Sequence, residues 1–139
     1  MSAVMNKKEL GNFGEKIAEN YFKKKGYQIL EKNYSFRFAS GRQKGEIDII
    51  AKKDDIITFV EVKSLASPFA EIAKFFFLEN KINFSKREKL IKTAETWLVK
   101  EKLPLNVKRQ IDIIVLKIDL KSKKAKIKHL QNVFPDFQF

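Results

Sequence analysis

The sequence predicts an α/β fold: a central mixed β-sheet flanked by helices. Three observations carry this expectation. An amphipathic helical pattern precedes three strand-like segments, a second helical pattern follows them, and two further strand-like segments close the chain. With 139 residues, the chain has the length of one domain with a single substantial core, so residues 1–139 are read as one unit.

Each element has its own local reason. Across residues 9–25, Leu10, Phe13, Ile17, Ala18 and Tyr21 recur at helical spacing, and Gly26 follows a lysine-rich last turn. That wheel puts Glu15 on the shoulder of the apolar face, and Glu19 is expected roughly opposite the core. Tyr27–Tyr34 reads as a strand and Phe36–Lys44 as a loop. Gly45–Ala51 and Ile56–Lys63 read as two strands joined by the polar turn Lys52-Lys53-Asp54-Asp55. Ala66–Asn83 begins as a loop around Ser67-Pro68 and carries Phe75-Phe76-Phe77-Leu78, expected in a helix. In Ser85–Lys102, Leu90, Ile91, Ala94, Trp97 and Leu98 share a helical register, which makes Trp97 a core residue. After Pro104 come the β-branched strand Val107–Ile118, expected to join the sheet by a helical crossover, and the short strand Ala125–Leu130.

Composition excludes several classes of function. The chain has no cysteine and one histidine, so disulfide scaffolds, structural zinc sites and thiol nucleophiles are out, and histidine-based catalysis is not expected. His129 is expected to hydrogen-bond to the sheet. No apolar run reaches the ~18 residues that cross a bilayer, and the N-terminus lacks the pattern of a signal peptide. A cytoplasmic, soluble protein without a membrane partner is expected. The formal net charge of +12 favours polyanionic partners such as nucleic acid. Of the 29 basic residues 25 are lysine, however, and that bias also follows from AT-rich coding. Gly11 and Gly14 form no phosphate-cradling loop, because the strand and the Lys-Ser/Thr pair of that motif are missing.

The chemistry concentrates in Gly45–Ala51 and Ile57–Lys63. Side chains alternate across a strand, so Glu46 and Asp48 are expected on one face and Ile47 and Ile49 on the other. On the second strand Phe59, Glu61 and Lys63 share a face opposite Thr58, Val60 and Val62. One hairpin register sets Asp48 against Phe59 with Glu61 diagonal to it, and a shifted turn sets Asp48 directly opposite Glu61. Either gathers Asp48, Glu61 and Lys63. Converging carboxylates repel unless a cation lies between them, and oxygen ligands suit Mg²⁺ or Mn²⁺. Lys63 could orient or deprotonate a water, or neutralise charge on a phosphorane. The plain alternative is an exposed strand face with a cross-strand ion set of little energy.

Beyond the residues themselves, the chain resembles the YraN-like family, small bacterial proteins with a restriction-endonuclease-like fold related to archaeal Holliday-junction resolvases. The resemblance runs through Gly14-Glu15, Gly26-Tyr27, Asn33-Tyr34, Gly45–Ala51, Phe59–Lys63, Lys86, Leu90, Arg109, Asp112, His129, Asn132 and Phe134. It implies an acidic–acidic–lysine core of Asp48, Glu61 and Lys63, a helix-borne Glu15, and the Val62 backbone carbonyl as a further metal ligand. It implies a Mg²⁺-dependent (or Mn²⁺-dependent) nuclease-like protein acting on DNA, with branched or otherwise structured DNA among the candidate substrates. A non-catalytic nucleic-acid-binding module on the same fold is the alternative. Arg109 and Lys86 are candidate nucleic-acid contacts, although Arg109 suits a surface ion pair equally well. The chain departs from the family in the aromatic insert at about 69–85 and in Lys89, where arginine is common. Phe75-Phe76-Phe77 is read as part core and part lid; if exposed, it would suit a homodimer contact.

Overall fold

The computed structural model describes residues 5–39, 41, 44–66 and 84–137, with the side chains of Phe84 and Ser85 left aside. The aromatic run Phe75–Phe77 and most of the 69–85 insert lie outside the described residues. Helix α1 spans Lys7–Lys24 and starts two residues earlier than the apolar spacing suggests. Asn6 sets that start by a reciprocal cap: its Oδ1 accepts from the Glu9 amide at 2.8 Å, and Glu9 reaches back to the Asn6 amide. Gly26, at φ +91°, ends the helix in a left-handed conformation that costs glycine little.

Strands β1 (Gln28–Arg37), β2 (Lys44–Lys53) and β3 (Ile56–Ala66) precede helix α2 (Phe84–Lys100), which leads to β4 (Lys108–Ile118) and β5 (Ala125–Leu130). The spatial order is β1-β2-β3-β4-β5, with β3 and β4 parallel and every other neighbouring pair antiparallel. This is the expected mixed sheet, with the crossover through α2 supplying the parallel pair. Two segments expected to be loop are strand instead. Phe36 and Arg37 pair with Gly45 and Lys44, and the β2–β3 connection shrinks to Asp54-Asp55. Both aspartates adopt positive φ, the geometry of a tight two-residue hairpin turn, so Lys52 and Lys53 stay in the ladder.

Each face of the sheet is covered. Beneath α1, Ala18 and Phe22 pack on Ile49, Ala51, Val60, Ile114, Leu116 and Ile118. Beneath α2, Leu90, Ala94 and Trp97 pack on Ile47, Ile50, Ile57, Phe59 and Ile111, joined by Phe134 and Phe137 of the C-terminal segment. Ile47 and Ile49 therefore belong to opposite cores, which corrects the expectation that they share a face. Simple alternation fails because Asn33 on β1, level with Asp48 on β2, takes a left-handed φ of +54°. Tyr34 and Ile47 beyond that point turn towards α2.

Two glycines let the helices approach the strands closely. A Cβ on Gly14 of α1 would sit 1.8 Å from Ser64 Oγ of β3, and a Cβ on Gly45 of β2 would sit 1.8 Å from Thr93 Oγ1 of α2. A third anchor lies under α1. Asp112, fully buried, accepts from Gln110 Nε2 at 2.9 Å, the Asn132 amide at 2.9 Å and His129 Nε2 at 2.6 Å. The other ring nitrogen of His129 meets the Tyr21 hydroxyl at 3.0 Å. His129 thus bonds to the sheet as expected, from within β5.

Two stability outcomes follow from these contacts. Gly14→Ala should lower the unfolding free energy by about 1–3 kcal/mol through overpacking, and adding Ser64→Ala should recover part of that in urea melts. His129→Ala leaves the buried Asp112 carboxylate short of a donor. It should cost about 2 kcal/mol in the same measurement.

Candidate functional site

The site forms where β2 and β3 part. Their ladder runs from Lys53↔Ile56 to Ile49↔Val60, the register that puts Asp48 level with Glu61, the second of the two anticipated. There the backbone pairing gives way to a side chain: Asp48 Oδ2 accepts from the Val62 amide at 2.7 Å. In an extended strand the N–H and C=O of one residue point toward the same neighbour, so the Val62 carbonyl faces the same gap.

Each partner reaches this fork from a different element. Glu15 comes from α1, next to the close approach at Gly14. Its wheel position on the rim is confirmed: it is half-buried and hydrogen-bonded to Asp48. Burial first, then the Asp48 charge, push the Glu15 carboxyl up to about 7. Burial also raises Asp48, with the Glu61 charge adding to it and the Val62 amide opposing it. The same pocket holds Asn12, Lys32 and Glu19. Glu19 does not point away from the core as expected: it pairs with Lys32 of β1 at 2.9 Å and with Lys23 at 2.8 Å. Glu15 and Glu19 are four residues apart, which places them on one flank of the helix.

On the α2 side, Glu61 Oε1 is shared by Lys63 Nζ and Lys86 Nζ, each at 3.3 Å. Burial opposes the Lys63 ammonium, but the hydrogen bond with Lys86 and the Glu61 charge outweigh it and raise its pKa. Lys86 is lowered by burial and by its lysine neighbour. Glu61 Oε2 is buried with no hydrogen-bond partner among the described residues. The cavity here measures about 430 Å³ and is lined by Lys44, Glu46, Glu61, Lys63, Lys86, Lys89 and Leu90.

The structure thus brings Asp48, Glu61, Lys63 and Glu15 to one fork, and Lys86 joins them through Glu61. Arg109 stays away. It sits level with Ile57, four residues or about 13 Å of strand before Glu61. There its guanidinium lies over Phe137 at 5.0 Å and donates to the Leu105 carbonyl at 3.1 Å. Lys44 and Lys89 were not anticipated as cavity residues. For Lys89 the signal was present, since Lys86, Lys89 and Leu90 at spacings of three and four lie on one flank of α2. For Lys44 there was none, because its place depends on β1–β2 pairing.

Whether these groups suit a hard dication can be tested on the donors. Among the described residues no three histidine, aspartate or glutamate side chains cluster tightly enough to form a metal cage. Mg²⁺ does not require one: it is commonly held by one or two carboxylates, with water and phosphate completing its shell. Glu61 carries a buried oxygen without a hydrogen-bond partner among the described residues, and the Asp48 and Glu15 carboxyls across the fork are pushed upward, so oxygen donors of the kind Mg²⁺ takes are present. The donor set fits.

Fold and site together define an α/β protein whose acidic–lysine cleft opens at a strand fork in a mixed sheet. Residues 14–116 match the family described as Uncharacterised protein family UPF0102, and the chain belongs to that family. The YraN-like resemblance is thereby borne out at family level. A UPF0102 protein of Clostridioides difficile strain 630 is 42% identical over 94% of this chain and 100% of its own length. One of Campylobacter fetus subsp. fetus is 41% identical over 86% of this chain and 88% of its own. Among solved structures, an XisH family protein from Nostoc punctiforme aligns with 85% of this chain and 98% of its own, at 12% identity and a TM-score of 0.44. No helix among the described residues is long and apolar enough to cross a membrane.

The raised carboxyls make stability depend on pH with a definite sign. Between the ordinary Glu15 value of 4.5 and about 7, the native state holds a proton that the unfolded chain has released. Stability should therefore fall as pH rises through that window, and Glu15→Gln should flatten the trend in urea melts. An equally steep decline in the variant would place the dependence elsewhere.

Proposed function

We propose that this protein is a Mg²⁺- or Mn²⁺-dependent nuclease-like enzyme of restriction-endonuclease-like fold, acting on DNA by phosphodiester hydrolysis. The observation that supports it most is the unpartnered, buried Glu61 Oε2, across the fork from the Asp48 carboxyl. Asp48, Glu61 and the Val62 carbonyl would hold the cation. Bound there, it supplies Lewis acidity toward the scissile phosphate and lowers the pKa of an attacking water.

The chain's own residues divide the remaining work. Lys63, kept protonated beside Glu61, offers an ammonium to the phosphate as charge builds in the transition state, and it can orient the attacking water. Glu15 holds a proton on its carboxyl up to about pH 7, hydrogen-bonded to Asp48. A positive charge at the fork would favour its release, leaving Glu15 as an additional oxygen donor or water-orienting group. Lys44 and Lys89 give the cavity the charge to receive a phosphodiester backbone. Branched and other structured DNAs are the first substrates to test.

A second reading has its own observation. Lys63 and Lys86 already neutralise one Glu61 oxygen, so the cleft could bind nucleic acid with no cation and no turnover. Calorimetry with Mn²⁺ and a panel of linear, nicked, flapped and four-way DNAs separates the two. The nuclease reading expects ion binding by the wild type that Asp48→Ala abolishes. It further expects cleavage that falls by about 10²–10³ in Lys63→Ala, the usual cost of a lost transition-state donor. Salt-sensitive DNA binding without ion binding or cleavage would leave the binding module.

A further inference from the structure

The turn end of the β1–β2 hairpin forms one wall of the cleft and carries different chemistry on its two faces. Arg37 pairs with Lys44, and Ser35 pairs with Glu46. Lys44 and Glu46 line the cavity, and residues directly opposite in a sheet share a face, so Arg37 extends the cleft face onto edge strand β1. Phe36, between Ser35 and Arg37, alternates to the other face. It pairs with Gly45, where a Cβ would meet Thr93 of α2. Of the aromatic side chains among the described residues, only Phe36 is exposed, at 38%. Its ring meets that of Phe38 edge-on, with 5.3 Å between centroids. The hairpin end is braced from within. The Gly41 amide donates to the Phe38 carbonyl at 2.8 Å, and Arg37 Nη1 donates to the Gly41 carbonyl at 3.0 Å. That bond takes one of the five donors of a guanidinium.

We infer that this hairpin end is a wedge that recognises forked DNA. Arg37 and Lys44 hold the backbone of the strand entering the cleft, and Phe36, backed by Phe38, stacks on an unpaired base of the opposite strand. The inference rests on the nuclease reading, because it takes the cleft as the place where a phosphodiester is engaged. Alternation selects the substrate: adjacent residues of a strand point to opposite faces, so the ring and the guanidinium reach opposite sides of the hairpin. A closed duplex keeps its bases stacked inside and offers the ring nothing. A fork offers a backbone on one side and an open base on the other, and every base has a face on which a ring can stack. A stable contact between copies of the chain needs about 800 Å² a side, and two rings beside Arg37 and Lys44 make too small and too charged a patch for that.

The test titrates the full chain with two labelled probes, a forked DNA with single-stranded arms and a blunt duplex, at several salt concentrations and without divalent ions. The wild type should prefer the fork. Phe36→Leu/Phe38→Leu should weaken fork binding about tenfold and leave duplex affinity and the salt slope in place, because stacking releases no counterions. Phe36→Trp should keep the fork preference or raise it. Arg37→Ala should weaken binding to both DNAs and shallow the slope of log affinity against log salt by about 0.9. Leu105→Ala, which trims an exposed apolar side chain just before β4, should change nothing. Equal binding of fork and duplex by the wild type overturns the wedge, as does an equal loss on both DNAs, or no loss, in the double variant. A lost preference in Phe36→Trp overturns it too, and this variant carries the test should the double variant fail to fold. So does a lower sedimentation coefficient in the double variant, which would make the rings a contact between copies. The nuclease reading fails separately, if the wild type neither binds Mn²⁺ nor cleaves any DNA, since fork preference is read without ion or turnover.

Discussion

The hydrogen bond from the Val62 amide to the Asp48 carboxylate governs the organisation of this protein. It ends the β2–β3 ladder with a side chain where a backbone carbonyl would ordinarily continue it. A carboxylate held in the sheet in this way cannot escape to solvent, and burial penalises its charge. The cost is met by whatever else reaches the gap: the Glu15 carboxyl, pushed up to about 7 and hydrogen-bonded to Asp48, and a cation in the proposed working state. The half-buried acid and the parted strands meet at that one bond, and Glu61, set by its pairing with β4, faces it.

The helices are brought to the fork by deletion of side chains. Glycine inside a helix or strand is intrinsically unfavourable by roughly 0.5–1 kcal/mol. Gly14 and Gly45 are retained at the two points where α1 meets β3 and α2 meets β2, with no room for a methyl group. The first contact delivers Glu15 to Asp48, and the second fixes the part of α2 that carries Lys86 and Lys89 over Glu61. Opposite charges thus arrive from opposite faces of the sheet, an acid from one helix and ammonium groups from the other. The net charge of +12 then has a local meaning, since lysines surround an acidic centre that would otherwise repel a polyanion.

Much of this was legible in the sequence. Both helices, the long strands, the crossover and the core role of Trp97 followed from periodicities of about 3.6 and 2 and from glycine and proline placement, which report local preferences. The gathering of Asp48, Glu61 and Lys63 needed only the alternation of a strand and a turn of the right length. Errors came where a non-local contact overrode a local rule. Strict alternation broke at Asn33 and Asp48, whose shared level becomes visible only once β1 and β2 are paired. The loop at Phe36–Lys44 shortened because those ends pair with each other. Glu19 was misplaced against its own spacing from Glu15.

By itself the sequence determined the inventory: which segments are helix or strand, which faces are apolar, and which acids and lysines lie two residues apart on a strand. These depend on neighbours within a turn or a pleat. Only the tertiary structure decided that Ile47 and Ile49 serve different cores, that Lys86 shares Glu61, that Arg109 stands at the far end of the sheet, and that Arg37 pairs with Lys44 at the wall of the cleft. Each of those facts depends on register or close approach between segments far apart in the chain, and no local pattern carries that information.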